Sequence, residues 1–310
     1  MSAATDSRSS RPARSARPAR RFPMTRTRRA GLVNIVLLLI VTALVLFPFL
    51  WMISLAFTPA EAAFRDVKIW PDNPTWSNFL TALSVGNLGR AFANSAIVAI
   101  VAVISNCVIT VAAGYAFAHL PFRGSNLIFY VLIATAAIPV AVTLIPLFLM
   151  VANFPLAGGN DLLGRGDSGL ADSLGGLAIP YLVGTMSIFL VRQFFTGMSP
   201  DLAEAARLDG ASEFRVFWNI YMPLSKPIIA VVAIFSFTGV WDDLLWPLVV
   251  SSSPKSQTVQ LALTGFSQSG NIQYAPLMAA TILVTIPVLL VFLFNQRHFI
   301  SGLSEGAVKG

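Results

Sequence analysis

The 310-residue chain has a single cysteine, Cys107, and two histidines, His119 and His298. A disulfide framework and a cysteine-based metal site are therefore excluded, and two histidines are too few for a histidine cluster. Charge is scarce: 11% of residues are Asp, Glu, Lys or Arg, against about 25% in an ordinary soluble domain. No GxxxxGK[ST] occurs, so the chain lacks a Walker phosphate cradle. Without a Walker lysine or a catalytic triad, it is not expected to be an enzyme, and no metal or cofactor site is expected on it. What the chain has is apolar surface. Hydrophobic residues make up 55% and the mean hydropathy is +0.73. So little polar surface cannot cover one soluble globule of this length. The composition implies an all-α integral membrane protein.

The net charge of +7 is unevenly placed. Nine arginines (8, 11, 14, 17, 20, 21, 26, 28 and 29) face one acid, Asp6, within residues 1–30. Rich also in Ser, Pro and Ala, this tail cannot bury a core and is expected to be disordered. Nucleic-acid binding has no aromatic or folded platform to support it. A twin-arginine export signal at Arg20-Arg21 or Arg28-Arg29 is opposed by the long apolar stretch that follows, with Phe47, Phe49, Trp51 and Met52. A cytoplasmic topology anchor, attracted to anionic membrane lipid, suits the arginines better.

Stretches without Asp, Glu, Lys or Arg, read against about 20 residues per crossing, predict six spans. They lie near 32–56, 93–118, 127–150, 174–194, 228–250 and 276–296. The fourth carries Pro180 and Gly184, and the fifth is interrupted by Asp242-Asp243. With the N-terminus inside, 16 Lys and Arg fall on the inner segments and 5 on the outer ones (Arg65, Lys68, Arg90, Arg165 and Lys255). Six spans then return the C-terminus to the cytoplasm. Of the outer loops, residues 58–90 carry Trp70 and Trp76, suited to the headgroup region. Residues 152–173 read as a solvated loop, with Gly164-Arg165-Gly166 a plain turn.

The loop between the fourth and fifth spans is the most informative. Ser199 can cap a helix, with Pro200 at its first position and Asp201 complementing the dipole. Gly210 can end that helix in a left-handed conformation. Ser212 can cap a second helix carrying Phe214, Phe217, Trp218 and Tyr221 at helical spacing, halted by Pro223. Two short helices with an aromatic face in a watery region read as an amphipathic hairpin on the membrane, or as an element that docks on a partner.

Here the chain resembles a known family. Glu204-Ala205-Ala206 with Asp209-Gly210-Ala211, then Ile220 and Pro223-Leu224, resembles the EAA loop of permeases in bacterial ATP-binding-cassette importers. Further residues are similar to the shorter permease of maltose-type sugar importers. These are Asn94-Ser95, Tyr115-Ala116-Phe117, Trp241-Asp242-Asp243 with Pro247-Leu248, Gln296-Arg297, Gly302-Leu303 and the terminal Gly306-Ala307-Val308-Lys309-Gly310. The resemblance spans residues 31–310, with Asp242 where the family commonly has Asn.

The resemblance implies a six-span permease in the bacterial inner membrane, half of a translocation path for a mono- or oligosaccharide. A second homologous permease would complete the path, and an external solute-binding protein would deliver the sugar. A separate ATPase dimer would bind ATP and Mg and act on the coupling loop, 199–223. Glu204, Ala205, Ala206, Asp209, Gly210, Phe214, Phe217 and Pro223 would couple to it, with Lys309 and Gly310 reaching the ATPase pair. Intramembrane acids are costly and face protein or water, so Asp242 or Asp243, with Trp241 or Trp246, is a candidate lining of the sugar path. On one continuous helix the two acids would point about 100° apart. The alternatives are a sister permease for amino acids or glycerol phosphates, and an ion-coupled secondary transporter using the two acids.

Overall fold

The computed structural model describes residues 25–63, 68–84, 87–267 and 272–307, which are helix and loop without a strand among them. They fall into two units, residues 1–50 and 51–310. In the first, helix α1 (Thr25–Phe57) is predominantly apolar from Val33 onward, with its side chains exposed on every face through Leu50. That is the pattern of a helix whose solvent is lipid. Residues 25–30, expected within the disordered tail, are helical. Residues 1–24 and the terminal Lys309 and Gly310 lie outside the described residues.

The second unit holds the end of α1 and the remaining helices. These are α2 (Ser77–Ser84), α3 (Leu88–His119), α4 (Ser125–Thr135), α5 (Val140–Ala152), α6 (Leu174–Ala178), α7 (Thr185–Thr196) and α8 (Asp201–Leu208). There follow α9 (Glu213–Val216), α10 (Met222–Leu224), α11 (Lys226–Trp241), α12 (Leu245–Val250), α13 (Val259–Leu263) and α14 (Tyr274–Ala307). Four stretches are long and apolar enough to cross a membrane: Val33–Phe57, Leu88–His119, Leu174–Thr196 and Tyr274–Gln296. Two bent pairs bring the possible total to six. The protein is thus an all-helical, multi-pass membrane protein.

Proline explains where the helices depart from the expected spans. The run 127–150 is not one helix but α4 and α5, meeting at 102°. Pro139 lacks an N–H and pushes Ile138 out of the helical region, so α4 cannot continue. Pro223 does not halt the second short helix as expected. The chain runs through it by way of a π turn at Phe217–Tyr221 and bends by 75° into α11. Pro223 and Pro227 withhold two N–H groups there, and the Ser225 hydroxyl donates to the Tyr221 carbonyl at 2.6 Å. The run 228–250 also breaks, at the Asp242-Asp243-Leu244 stretch and without a proline there: α11 ends at Trp241 and α12 begins at Leu245.

Helix α3 is the spine, packed against α7 and α11, with α11 in turn against α14. Its buried face is built from small residues such as Ala91, Ser95, Ala99, Ala102 and Gly114. Small residues let neighbouring backbones approach closely in a membrane bundle. A Cβ on Gly114 would stand 2.5 Å from Val191 Cγ1. Two apolar clusters share this spine. One joins Ala99 and Ala102 to Val240, Trp241, Trp246 and Ala280. The other joins Val111 and Tyr115 to Val191, Phe195, Val216 and Tyr221.

Between the clusters α3 carries Ser105 and Asn106, opposite a break in the fourth span. Asn106 Nδ2 donates to the carbonyls of Ala102 (3.0 Å) and Tyr181 (2.5 Å), and its Oδ1 accepts from Gly184 N at 2.6 Å. Ser105 donates to the Leu182 carbonyl at 2.7 Å. Each interhelical bond is worth only about 0.6 kcal/mol in a bundle, but an unpaired backbone group in hydrocarbon costs several kcal/mol. The break exists because α3 supplies what the helix would have.

Residues 153–172 are more tightly built than a solvated loop with a plain turn. Asn160 is buried, donating to the carbonyls of Ala152 and Phe154 at 2.9 and 3.2 Å. Gly158, at φ +52°, lies so close that a Cβ would meet the Gly169 carbonyl oxygen at 1.9 Å. Only glycine fits there. Asp172 clasps this loop to the next one. Its carboxylate accepts from Ser252 N (2.9 Å), Ser253 N (3.0 Å) and the Ser256 hydroxyl. Burial opposes the charge, but these donors outweigh it and hold Asp172 below its ordinary value of 3.8.

Two outcomes are expected. Gly114→Val should lower the thermal midpoint of the detergent-solubilised protein, by an overpacking cost of about 1–3 kcal/mol; an unchanged midpoint would show that α3 and α7 have room. Because the folded pKa of Asp172 is depressed, its contribution is full above the ordinary value and lost as pH falls through the lower, folded one. Proteolytic nicking of 153–172 should rise on acidification in the parent and be pH-insensitive in Asp172→Asn. Parallel pH profiles for the two would sink the assignment.

Candidate functional site

The loop 199–223 is shaped by its own sequence. Asp201 N donates to Ser199 Oγ at 3.3 Å, but α8 begins at Asp201 with Pro200 at its N-cap, one residue later than the expected Ser199 cap. At the far end Gly210 takes φ +80°. Gly210 N donates to the Arg207 carbonyl (3.0 Å) and Ala211 N to the Ala206 carbonyl (2.9 Å), the paired bonds of a Schellman cap. Ser212 Oγ then accepts from Arg215 N at 3.4 Å and starts α9. The resulting turn is closed by a bidentate ion pair, Arg207 Nε to Glu213 Oε1 at 2.6 Å and Arg207 Nη2 to Glu213 Oε2 at 3.1 Å. The Tyr115 hydroxyl, from the last turn of α3, donates to Glu213 Oε2 at 3.1 Å.

Beneath the turn lies an aromatic block of Tyr115, Phe195, Phe217 and Tyr221, with the His119 ring 4.4 Å from that of Tyr221. Ala203, Val216 and Tyr221 are buried in it. The opposite face carries Leu208 and Phe214, 89% and 73% exposed, and Trp218, stacked on Phe214 at 6.3 Å. Glu204, Ala205, Asp209, Gly210 and Pro223 are exposed too, while Ala206 and Phe217 are half-buried. The expected loop residues are therefore brought onto one short segment, with Phe217 turned partly inward.

The expected second group is divided. Trp241 and Trp246 are buried, donating to the Val284 carbonyl at 3.0 Å and the Gly176 carbonyl at 3.2 Å. Neither indole offers a face to a passing solute. Asp242 and Asp243 do not sit 100° apart on one helix but in the break after α11. Asp243 accepts from the Tyr181 hydroxyl and, at 2.8 Å, from Leu245 N, so it starts α12 and ties it to the fourth span. Asp242 is exposed.

Residues 109–305, which include both groups, match the family described as binding-protein-dependent transport system inner membrane component. The chain belongs to that family. It is 29% identical to the diacetylchitobiose uptake system permease protein NgcG of Streptomyces coelicolor, over 91% of this chain and 90% of that protein. It is 30% identical to the sn-glycerol-3-phosphate transport system permease protein UgpE of Yersinia pestis, over 87% and 94%. A solved structure of a bacterial ABC transporter involved in import of the acidic polysaccharide alginate shares the fold, with TM-score 0.76 and 22% identity over 90% and 99% of the two chains. The protein is thus the inner membrane component of a system that works with a solute-binding protein, and its named relatives are transport permeases.

Several residues of this inner membrane component escape a reading by sequence. Arg207 and Glu213 stand six positions apart, across a turn, so no helical spacing pairs them. Asn106 offered one clue, an amide midway along an apolar span. Asn94 and Ser95 clasp the segment before α13: Asn94 donates to the carbonyls of Lys255 and Gln257, and Ser95 Oγ accepts from Val259 N, all at 2.9 Å. The two carboxylates should separate experimentally. Asp243→Leu is expected to destabilise the solubilised protein by about 1–3 kcal/mol, through the partners it strands, whereas Asp242→Asn should leave its thermal midpoint unchanged. Equal midpoints for both variants would remove Asp243 from its structural role.

Proposed function

We propose that the chain is one of two permease subunits of an ATP-driven importer of mono- or oligosaccharides. The carrying observation is the loop 199–223. Its inner face is packed and internally bonded, while Leu208, Phe214 and Trp218 are exposed on the other side. Exposed aromatic anchors on a pre-ordered element suit docking into another protein's groove, at little ordering cost. The partner is a separate ATPase dimer, which carries the ATP and Mg. A second homologous permease completes the translocation path, six spans apiece, and both termini of this chain are cytoplasmic, as the arginine bias favours. Glu204 on α8, with Asp209 and Gly210 at the turn that follows, would take the push of the ATPase, and Lys309 and Gly310 would contact it.

A sugar is favoured over a phosphate-bearing solute by the charge map. The runs 91–122, 173–191 and 227–241 hold no Lys or Arg to pair with a phosphate. Similarity to NgcG supports the same choice. In proteoliposomes containing the whole importer, Glu204→Lys and Gly210→Pro should each lower sugar uptake more than tenfold while ATP hydrolysis continues. Proline at 210 would force φ near −65° where the turn needs +80°. Normal uptake by an intact complex carrying either variant removes that residue from coupling.

A further inference from the structure

Two polar atoms beside the loop 199–223 make no hydrogen bond. Nε2 of His119 and the hydroxyl of Tyr221 are both closed to solvent and both without a partner. Their rings lie side by side, 4.4 Å between centroids. Comparable groups elsewhere in the chain are met. The Tyr115 hydroxyl donates to Glu213, that of Tyr181 to Asp243, and the Trp241 and Trp246 indoles to carbonyls. A buried donor or acceptor left unmade is costly, and no water can touch either atom to relieve it. Two such atoms on adjacent rings would satisfy each other if one ring turned.

Their chemistry is complementary. The Phe195 backbone is a hydrogen-bonding neighbour of the imidazole, and with Nε2 unpartnered it engages Nδ1. A neutral ring with its proton on Nδ1 presents Nε2 as an acceptor, and a tyrosine hydroxyl is a donor. The two residues also stand on unlike elements. His119 closes α3, an uninterrupted helix of 32 residues. Tyr221 ends the π turn and precedes the 75° bend into α11. A π turn holds one residue more than an α turn, and moving it along by a residue rotates the side chains it passes by about 100°. Tyr221 can therefore turn while His119 keeps its place.

The groups around His119 decide how such a pair responds to pH. Its own helix brings Tyr115, the loop brings Arg207 and Glu213, and the π turn brings Tyr221. From α7 the Phe195 ring and backbone face it, while Arg192 is turned to the Phe117 carbonyl and the Phe129 ring. Lys226, at the start of α11, is exposed. The Arg207 guanidinium holds Glu213 below its ordinary value of 4.5, against some opposing burial, so Glu213 stays ionised near neutrality. Tyrosine, lysine and arginine keep their protons there. Imidazole is the group whose charge changes between about pH 5 and 8, and an imidazolium has no lone pair to accept with. We infer that His119 and Tyr221 form a latch: in a second state of the transport cycle the Tyr221 hydroxyl donates to His119 Nε2, and protonation of His119 from the cytoplasmic side breaks that bond and slows import. Acid costs the latched state a bond that the present state never had, so the population shifts away from it. This regulation rests on the reading of the loop as the ATPase contact.

The test uses the complete importer in proteoliposomes loaded with ATP, with labelled chito-, malto- and arabino-oligosaccharides outside at fixed pH. The lumen, which stands for the cytoplasm, is set at about pH 7.5 or about pH 5.5, on either side of the histidine range. Parental uptake should fall about fivefold on acidification, the scale of one hydrogen bond. His119→Gln does not titrate and its amide can still accept, so it should keep most of the uptake and lose most of the fall. Tyr221→Phe keeps the ring without the donor; its uptake should already be about fivefold down at the higher pH and change little further. A parental pH profile in His119→Gln overturns the latch. A second readout is independent of what is carried. This chain alone is labelled with 15N-histidine on a His298→Gln background, so that one imidazole reports, and the complex is trapped with a non-hydrolysable ATP analogue. The Nε2 resonance should move to a hydrogen-bonded acceptor position on trapping, and should not in Tyr221→Phe. A parental resonance that is the same with and without the analogue overturns the latch whatever the importer carries. A parent that imports none of the saccharides overturns the sugar reading, while the resonance still decides the latch. A chain that assembles with no ATPase overturns the reading of the loop, and the latch with it.

Discussion

Backbone hydrogen bonds that cannot be left unmade in hydrocarbon govern this structure. A continuous helix meets that demand by itself. The fourth span does not, and its break at Leu182–Gly184 persists because Ser105 and Asn106 on α3 take over the bonds. The consequences spread from there. α3 must stay close to α7, which requires Gly114 opposite Val191. The polar layer at Asn106 also separates the two apolar clusters, one under the Trp241 corner and one under the loop 199–223. A chain that pays for irregular backbone at membrane depth gains a place where polar atoms can face something other than lipid.

The two clusters are joined by rigid elements. Tyr115 closes α3 and bonds to Glu213, which is itself locked by Arg207. The turn at Asp209-Gly210 is thus tied to the spine by an ion pair and a hydroxyl, not only by apolar packing. The exposed ion pair contributes little to stability, since such pairs are worth about 0–1 kcal/mol. Its value lies in orientation. It sets where Leu208, Phe214 and Trp218 point. The aromatic block beneath packs that segment against α3, α7 and α11 together.

Much of the loop was legible in advance because its signals are local. Ser199, Gly210 and Ser212 act within a few residues of themselves, and the caps at Gly210 and Ser212 form where their chemistry predicts, while α8 starts one residue later than expected, with Pro200 and not Ser199 at its N-cap. Helix breaks were less legible. Pro139 ended a helix, but Pro223 did not, because Ser225 and a π turn accommodate it. Trp241 and Trp246 suggested a sugar-facing pair by residue type alone. Their indole N–H groups instead found carbonyls of distant helices, which turned both rings inward.

Composition and charge placement alone determined that this is an all-helical membrane protein, and the 199–223 motif alone determined its family. Both follow from physics that needs no partner: apolar length sets what can cross a bilayer, and capping is read over one or two turns. Only the tertiary structure decided which polar residues are spent on holding the fold and which remain free. Asn106, Asp172 and Asp243 are fully engaged by groups 75, 84 and 62 residues away, whereas Asp242 is exposed, the Ser236 hydroxyl is unpartnered and Gly239 has open space. Satisfaction of a polar group depends on what another helix brings to it, and no local pattern of residues carries that information.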